Sequence, residues 1–180
     1  MFVLVGLPAA GKTRRAAEIA AEYRALRLTP DEWMIPLFGQ LQPEGMRNIV
    51  EGRLIWIGLS ALRLGISVVL DFGVWAKEER TALRALAASV GASSELVYLD
   101  VDEEEQWRRV QARSLTDAAI TFGMTRSDLE GWRHRFQAPD STEVETADLD
   151  DPPSGFDSWV AWAADWWPTC LGSEDPSGPV

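Results

Sequence analysis

The chain has one cysteine, Cys170, and one histidine, His134. A lone thiol permits no internal disulfide, and a single imidazole cannot assemble a zinc cluster. Lysine is confined to Lys12 and Lys77, so nearly all the positive charge is arginine. Twenty-eight acids against 17 bases leave a net charge of −11, which disfavours a general nucleic-acid binder with its basic face. No apolar run reaches membrane-spanning length, so no membrane partner is expected. The first apolar run leads straight into a glycine-rich loop and leaves no room for a signal peptide, so a cytoplasmic location is expected. Nothing in the sequence specifies an oligomeric state. What is present is globular: 180 residues, 46% hydrophobic and 25% charged, long enough for one domain with a real core.

Residues Gly6 to Thr13 read Gly-Leu-Pro-Ala-Ala-Gly-Lys-Thr, a full match to the phosphate-loop pattern G-x-x-x-x-G-K-[ST]. They follow Phe2-Val3-Leu4-Val5, a strand, and precede a helix over Lys12 to Tyr23. That context supplies what the chemistry needs. A strand aims the loop, and glycines let backbone N–H groups wrap a triphosphate. A helix then turns its positive end toward the anion. Gly6, Ala9, Ala10 and Gly11 form the cradle, Lys12 reaches the β- and γ-phosphates, and the Thr13 hydroxyl ligates Mg²⁺. ATP and Mg²⁺ are the expected cofactors.

Further along, Ala25–Thr29 reads as a second strand, and Asp31–Phe38 as a helical turn opened by Pro30. Met46–Leu64 is a long helix closed by Gly65. Ile66–Leu70 is a doubly buried strand ending in Asp71, Lys77–Val90 a helix, Leu96–Val101 a strand and Asp102–Arg113 a helix. A loop over Ser114–Gly123 precedes a helix from Thr125 to Phe136, with Thr125 and Asp128 as its cap. Thr142–Thr146 alternates like a fifth strand. Phe156, Trp159, Trp162, Ala163 and Trp166 mark one face of a last helix, read as a packing face ahead of a binding platform. Leu171–Val180, rich in Gly, Pro and Ser, reads as a disordered tail. Strands alternating with helices predict a parallel sheet covered on both faces, with ligands beyond the carboxyl ends of its strands. The phosphate loop, Asp31 and Asp71 all fall there.

Asp71 either stands beside the metal or caps the turn toward Phe72. Asp31 is either the general base that takes the acceptor hydroxyl proton or a helix-capping acid. Arg109 and Arg113, one turn apart, suit a lid over the transferring phosphate; the alternative is a solvated face paired with Glu103 to Glu105. Asp100 and Asp102 read as cap and dipole partners. Trp33, Met34, Leu37 and Phe38 suggest an apolar wall for a small acceptor. Glu51, Arg53 and Arg80 either line that pocket or form helix-surface salt bridges.

Together, Gly-Leu-Pro-x-x-Gly-Lys-Thr, the Asp after the second strand, Val68-Val69-Leu70-Asp71, Arg108-Arg109-x-x-x-Arg113 and Phe136-Gln137-Ala138-Pro139-Asp140 resemble the small phosphate-loop kinases of the AAA_33 type. That group includes polynucleotide 5′-hydroxyl kinases, chloramphenicol phosphotransferase and zeta-toxin-type sugar-nucleotide kinases. The resemblance covers roughly residues 2–146 and implies a three-layer α/β fold with a five-stranded parallel sheet ordered 2-3-1-4-5; the domain is read as residues 1–170, with a lid near residues 114–124. It places the base on Asp31, the metal-side carboxylate on Asp71 and the lid arginines on Arg109 and Arg113. Polynucleotide kinases carry an arginine three residues after the base, where this chain has Met34. That departure and the charge point away from nucleic acid. The expectation is ATP-dependent phosphorylation of a small-molecule hydroxyl, with an antibiotic or a sugar-nucleotide as the sort of acceptor in view. The alternatives are a nucleotide-dependent switch or accessory ATPase acting on a protein partner and, behind it, a polynucleotide kinase.

Overall fold

Four short strands line up in parallel, in the order β2-β3-β1-β4. They occur in a computed structural model that describes residues 1–39, 43–116, 124–146 and 148–172, with the side chains of 113–116 outside that description. β1 (Phe2–Val5) leads to α1 (Lys12–Tyr23), β2 (Leu26–Leu28), α2 (Asp31–Phe38), α3 (Met46–Arg63) and β3 (Val68–Gly73). Then come α4 (Lys77–Ser89), β4 (Glu95–Tyr98), α5 (Glu103–Thr116), α6 (Arg126–Arg135), α7 (Ser141–Glu145) and α8 (Trp159–Trp166). Residues 117–123, most of the expected lid, and residues 173–180 of the expected tail lie outside the described residues.

The sheet is doubly covered because its central strands are apolar on both faces, Asp71 near the middle of β3 being the one charged residue. Along β1, Val3 and Val5 join one core cluster, with Leu54, Leu83 and Trp167, while Leu4 joins another, with Ala16 and Ile19 of α1. β3 divides the same way, Val68 and Leu70 against Val69. The period of two sends alternate side chains to opposite faces, so one strand feeds two helical layers. A third cluster, Ala9 with Val110 and Leu129, packs α5 and α6 against the phosphate loop.

The fifth strand is not there: Thr142–Thr146 lies in and just after α7. Its alternation comes from a capped turn. The Asp140 carboxylate accepts the Glu143 N–H at 2.8 Å, and Glu143 is drawn inward onto Arg80 through two hydrogen bonds of 2.5 and 2.9 Å. Arg80 is 1% exposed and also donates to the carbonyls of Trp75 and Gln137. The tryptophan-rich helix does pack. Trp159 and Ala163 are buried, while Trp166 is 43% exposed and Trp167, at the C-cap, turns inward to 1%.

Candidate functional site

β1 delivers the chain to a loop whose backbone only certain residues accept. Gly6 has φ +149, and a Cβ there would lie 2.6 Å from the Leu99 carbonyl oxygen; Gly11 has φ +100. Ala9 takes φ +63, an unfavourable angle for an L-residue. It is held there because α5 grips the loop from behind. Gln106 donates to the Pro8 carbonyl at 2.8 Å, and Arg109 Nη1 donates to the carbonyls of Ala9 and Ala10 at 3.2 Å each. Lys12 Nζ donates to the Leu7 carbonyl at 2.8 Å across the loop. No acid occupies the first turn of α1, so its N-terminal dipole stays available to an anion.

Asp71, 7% exposed near the middle of β3, accepts a hydrogen bond from the Thr13 hydroxyl. Burial pushes its carboxyl above the ordinary range, while Lys12, the Thr13 bond and Arg27 pull it back and the charge of Asp31 adds to the rise. Arg27 Nη1 lies 3.4 Å from Asp71 Oδ2. This cation, on β2, escaped the sequence reading because nothing in Leu26-Arg27-Leu28 separates a site arginine from a surface one. A threonine hydroxyl beside a buried carboxylate is a hard-oxygen donor set that fits Mg²⁺.

Asp31 opens α2 as a first-turn acid, with Pro30 at the cap position. Its carboxylate accepts from Arg47 Nη1 at 3.0 Å. Asp31 and Asp71 line one cleft of about 500 Å³ together with Lys12 and Thr13. Arg109 pairs with Glu105 at 2.7 Å, the solvated-face alternative, while its Nη1 holds the loop carbonyls from behind. Glu105, which also holds Arg108, is kept down at about 2 by these hydrogen bonds. Arg113 lies in α5 with its side chain outside the described residues. Asp102 accepts the Glu105 N–H at 2.9 Å, the capping role expected of it.

The expected acceptor wall is not brought to the cleft. Met34 (1% exposed) and Phe38 face the core, while Trp33 (46%) and Leu37 (60%) face outward. Helical period separates these pairs: 34 and 38 share the inner face and 33 and 37 the outer one. Arg53 points elsewhere, over the Trp56 ring at 4.6 Å. The aromatic lining comes from Phe72, Trp75, Trp132 and Trp167, with Arg47, Glu51 and Glu79 among the polar partners. Glu79 accepts the N–H groups of Trp75 and Ala76 at 2.9 Å each. Gln137, in the segment that follows α6, donates its N–H to the Trp75 carbonyl at 3.1 Å. Trp75 is thereby held from both sides. Glu51 is pushed up by burial and drawn back by Arg47 and Trp167.

No curated protein matches the chain. Among solved structures it is similar to Kti12 of Chaetomium thermophilum in complex with ADP-AlF3, at 18% identity over 95% of this chain and 99% of that one, with a TM-score of 0.59. It is similar to a sugar kinase from Janibacter sp. HTCC2649, unliganded, at 18% identity over 92% of each chain and a TM-score of 0.54. It is also similar to a chain of the Pnkp1/Rnl/Hen1 RNA repair complex, at 18% identity over 85% of this chain and 52% of that one, TM-score 0.60. At such identities these likenesses concern the fold. The model of the AAA_33 family, an AAA domain, matches residues 1–139, which include the phosphate loop, Asp31, Asp71 and Arg109. By that match over most of its length, the chain belongs to the AAA_33 family.

Proposed function

We propose that this protein transfers the γ-phosphate of ATP, with Mg²⁺, to a hydroxyl of a small molecule. The observation that carries the reading is the shared cleft. The phosphate loop and the Thr13–Asp71 oxygen pair occupy it together with Asp31, a first-turn carboxylate paired with Arg47. A cleft of about 500 Å³ has the size of a small-molecule site, and Trp75 and Trp132, both partly exposed, offer flat apolar faces to a sugar or ring system. The ADP-AlF3 in the Kti12 structure supports nucleotide binding by this fold.

Thr13 and Asp71 would hold the metal, which neutralises charge on the phosphates. Lys12 and the loop N–H groups bind and orient the triphosphate. Asp31 accepts the proton of the acceptor hydroxyl as its oxygen forms the new P–O bond and the bond to the β-phosphate oxygen breaks, releasing ADP. Arg109 steadies the loop from behind through Ala9 and Ala10. The test is ADP release by the full chain across a panel of hydroxyl metabolites and antibiotics. Acceptor-dependent release with a phosphorylated product is expected. Slow hydrolysis that no acceptor stimulates would overturn the reading in favour of a nucleotide-dependent switch on a protein partner.

A further inference from the structure

The family match ends at residue 139, yet the cleft is finished by a tryptophan 28 residues later. Trp167 Nε1 donates to Glu51 Oε2 at 3.0 Å. The other oxygen of Glu51 accepts from Arg47 Nε at 2.8 Å, and Arg47 Nη1 donates to Asp31 Oδ1 at 3.0 Å. The exposure falls inward along this chain of contacts: the side chains of Asp31, Arg47 and Glu51 are 66%, 37% and 11% exposed, and Trp167 is 1% exposed. The outer carboxylate is therefore anchored, through two side chains, to a residue locked in the core.

α3 is shaped to receive that anchor. Asn48 Nδ2 donates to the Trp166 carbonyl at 3.0 Å, and the Thr169 hydroxyl donates to the Ile49 carbonyl at 2.6 Å. Gly52, next to Glu51, is where the segment presses hardest. A Cβ there would lie 2.5 Å from Thr169 Oγ1 and 3.0 Å from the Cys170 backbone nitrogen. Positions 48, 49, 51 and 52 thus each meet the stretch from Trp166 to Cys170. We propose that this C-terminal segment belongs to the phosphotransfer machinery: through Trp167, Glu51 and Arg47 it positions Asp31. The inference rests on Asp31 being the base. Arg47, Glu51 and Trp167 are positioning residues, since the group meeting the acceptor is Asp31.

The physical need is plain. Asp31 is solvated, and a long arginine side chain loses substantial rotamer freedom when it is fixed. An exposed ion pair alone does little to hold it. A buried anion gripped by an indole N–H holds the guanidinium in one place, and its second nitrogen then fixes the carboxylate. Lysine, a single nitrogen on a flexible stem, cannot bond both carboxylates in that fork geometry.

The experiment uses the full chain with Trp167→Phe, which keeps the bulk and deletes the donor, with Arg47→Lys, and with both. ATP hydrolysis with water as acceptor, MgATP affinity by calorimetry and thermal melting are measured together. Each single variant is expected to keep MgATP affinity within about twofold and to lose turnover on the order of 10- to 100-fold, the scale of a misplaced reacting group. The double variant should fall little below the worse single one, because both substitutions cut one chain of contacts. Unchanged turnover in the folded single variants, or losses that multiply in the double, would overturn the proposal. If the wild type neither hydrolyses ATP nor phosphorylates any acceptor, the proposed function fails by itself. The relay is then read from the Arg47 Nε–H resonance, which Trp167→Phe and Asp31→Asn should each shift. A signal indifferent to Trp167→Phe would overturn it.

Discussion

Lys12 bridges the loop to the Leu7 carbonyl and lies beside Asp71, so removing its amine takes a cation from the phosphate path without opening the core. Lys12→Ala should abolish turnover or weaken MgATP binding while the melting transition stays close to wild type; ATP affinity and turnover both unchanged would count against the site. The two carboxylates should separate cleanly. Asp31→Asn is expected to leave MgATP affinity nearly intact and to cut transfer by roughly 10²–10⁴, the range of a general base. Asp71→Asn should raise the Mg²⁺ requirement instead. It should also alter stability in a pH-dependent way. Burial raises the Asp71 carboxyl above the ordinary carboxylate range, so the folded state holds that proton more tightly than the unfolded chain. Stability then declines as pH rises from the ordinary carboxylate range through the raised value. Metal-free Asp71→Asn should therefore melt above wild type at neutral pH and lose that advantage below the ordinary range, as scanning calorimetry at several pH values would record.

Elements whose local signals agree with their surroundings were legible in the sequence. The phosphate loop, the α1 bounds and the Thr125–Asp128 capping box all carry short-range chemistry that packing leaves unchanged. α7 was misread because Thr-Glu-Val-Glu-Thr alternates, although Asp140 three residues before Glu143 is a helix-start signal. What decided the outcome was non-local, a buried arginine 63 positions away. The acceptor wall failed for a related reason. An aromatic cluster beside the base predicts a pocket only if its residues share a face, and α2 splits them between core and solvent. Two element-scale predictions follow from the buried contacts. Glu143→Ala strands Arg80 inside the protein, and losing one partner of a buried pair costs on the order of 3–5 kcal/mol; denaturant unfolding should show a loss well above that of Glu145→Ala on the same helix. Gly52→Ala should push Thr169 and Cys170 off α3, lowering the melting temperature and transfer together, whereas Gly131→Ala, where an added Cβ meets nothing within 4 Å, should leave both near wild type.

On the scale of the whole molecule, the deficit of lysine and the net charge of −11 bear on the acceptor. The family match, the four-stranded sheet and the structural likenesses make a nucleotide-binding phosphate-loop domain without naming what receives the phosphate. Among the described residues away from the phosphate loop, the cleft offers Asp31, Asp71, Glu51 and Glu79 against Arg47, so its local balance has the same sign as the net charge of the chain. A neutral or amine-bearing hydroxyl compound meets the Trp75 and Trp132 faces and a negative field there. A sugar phosphate or an oligonucleotide meets the same field with the wrong charge. Within the acceptor panel, neutral and cationic compounds are expected to give kcat/KM values well above those of anionic analogues of similar size. For cationic acceptors the KM should rise with salt as the attraction is screened. Trp75→Ala should raise the acceptor KM more than the ATP KM, because Trp75 lines the cleft outside the phosphate loop, while Trp33→Ala on the outer face of α2 should move neither. Efficient phosphorylation of a 5′-hydroxyl oligonucleotide, weakening steeply with salt as phosphate contacts require, would show that a basic path crosses this acidic surface and would reverse the assignment of acceptor.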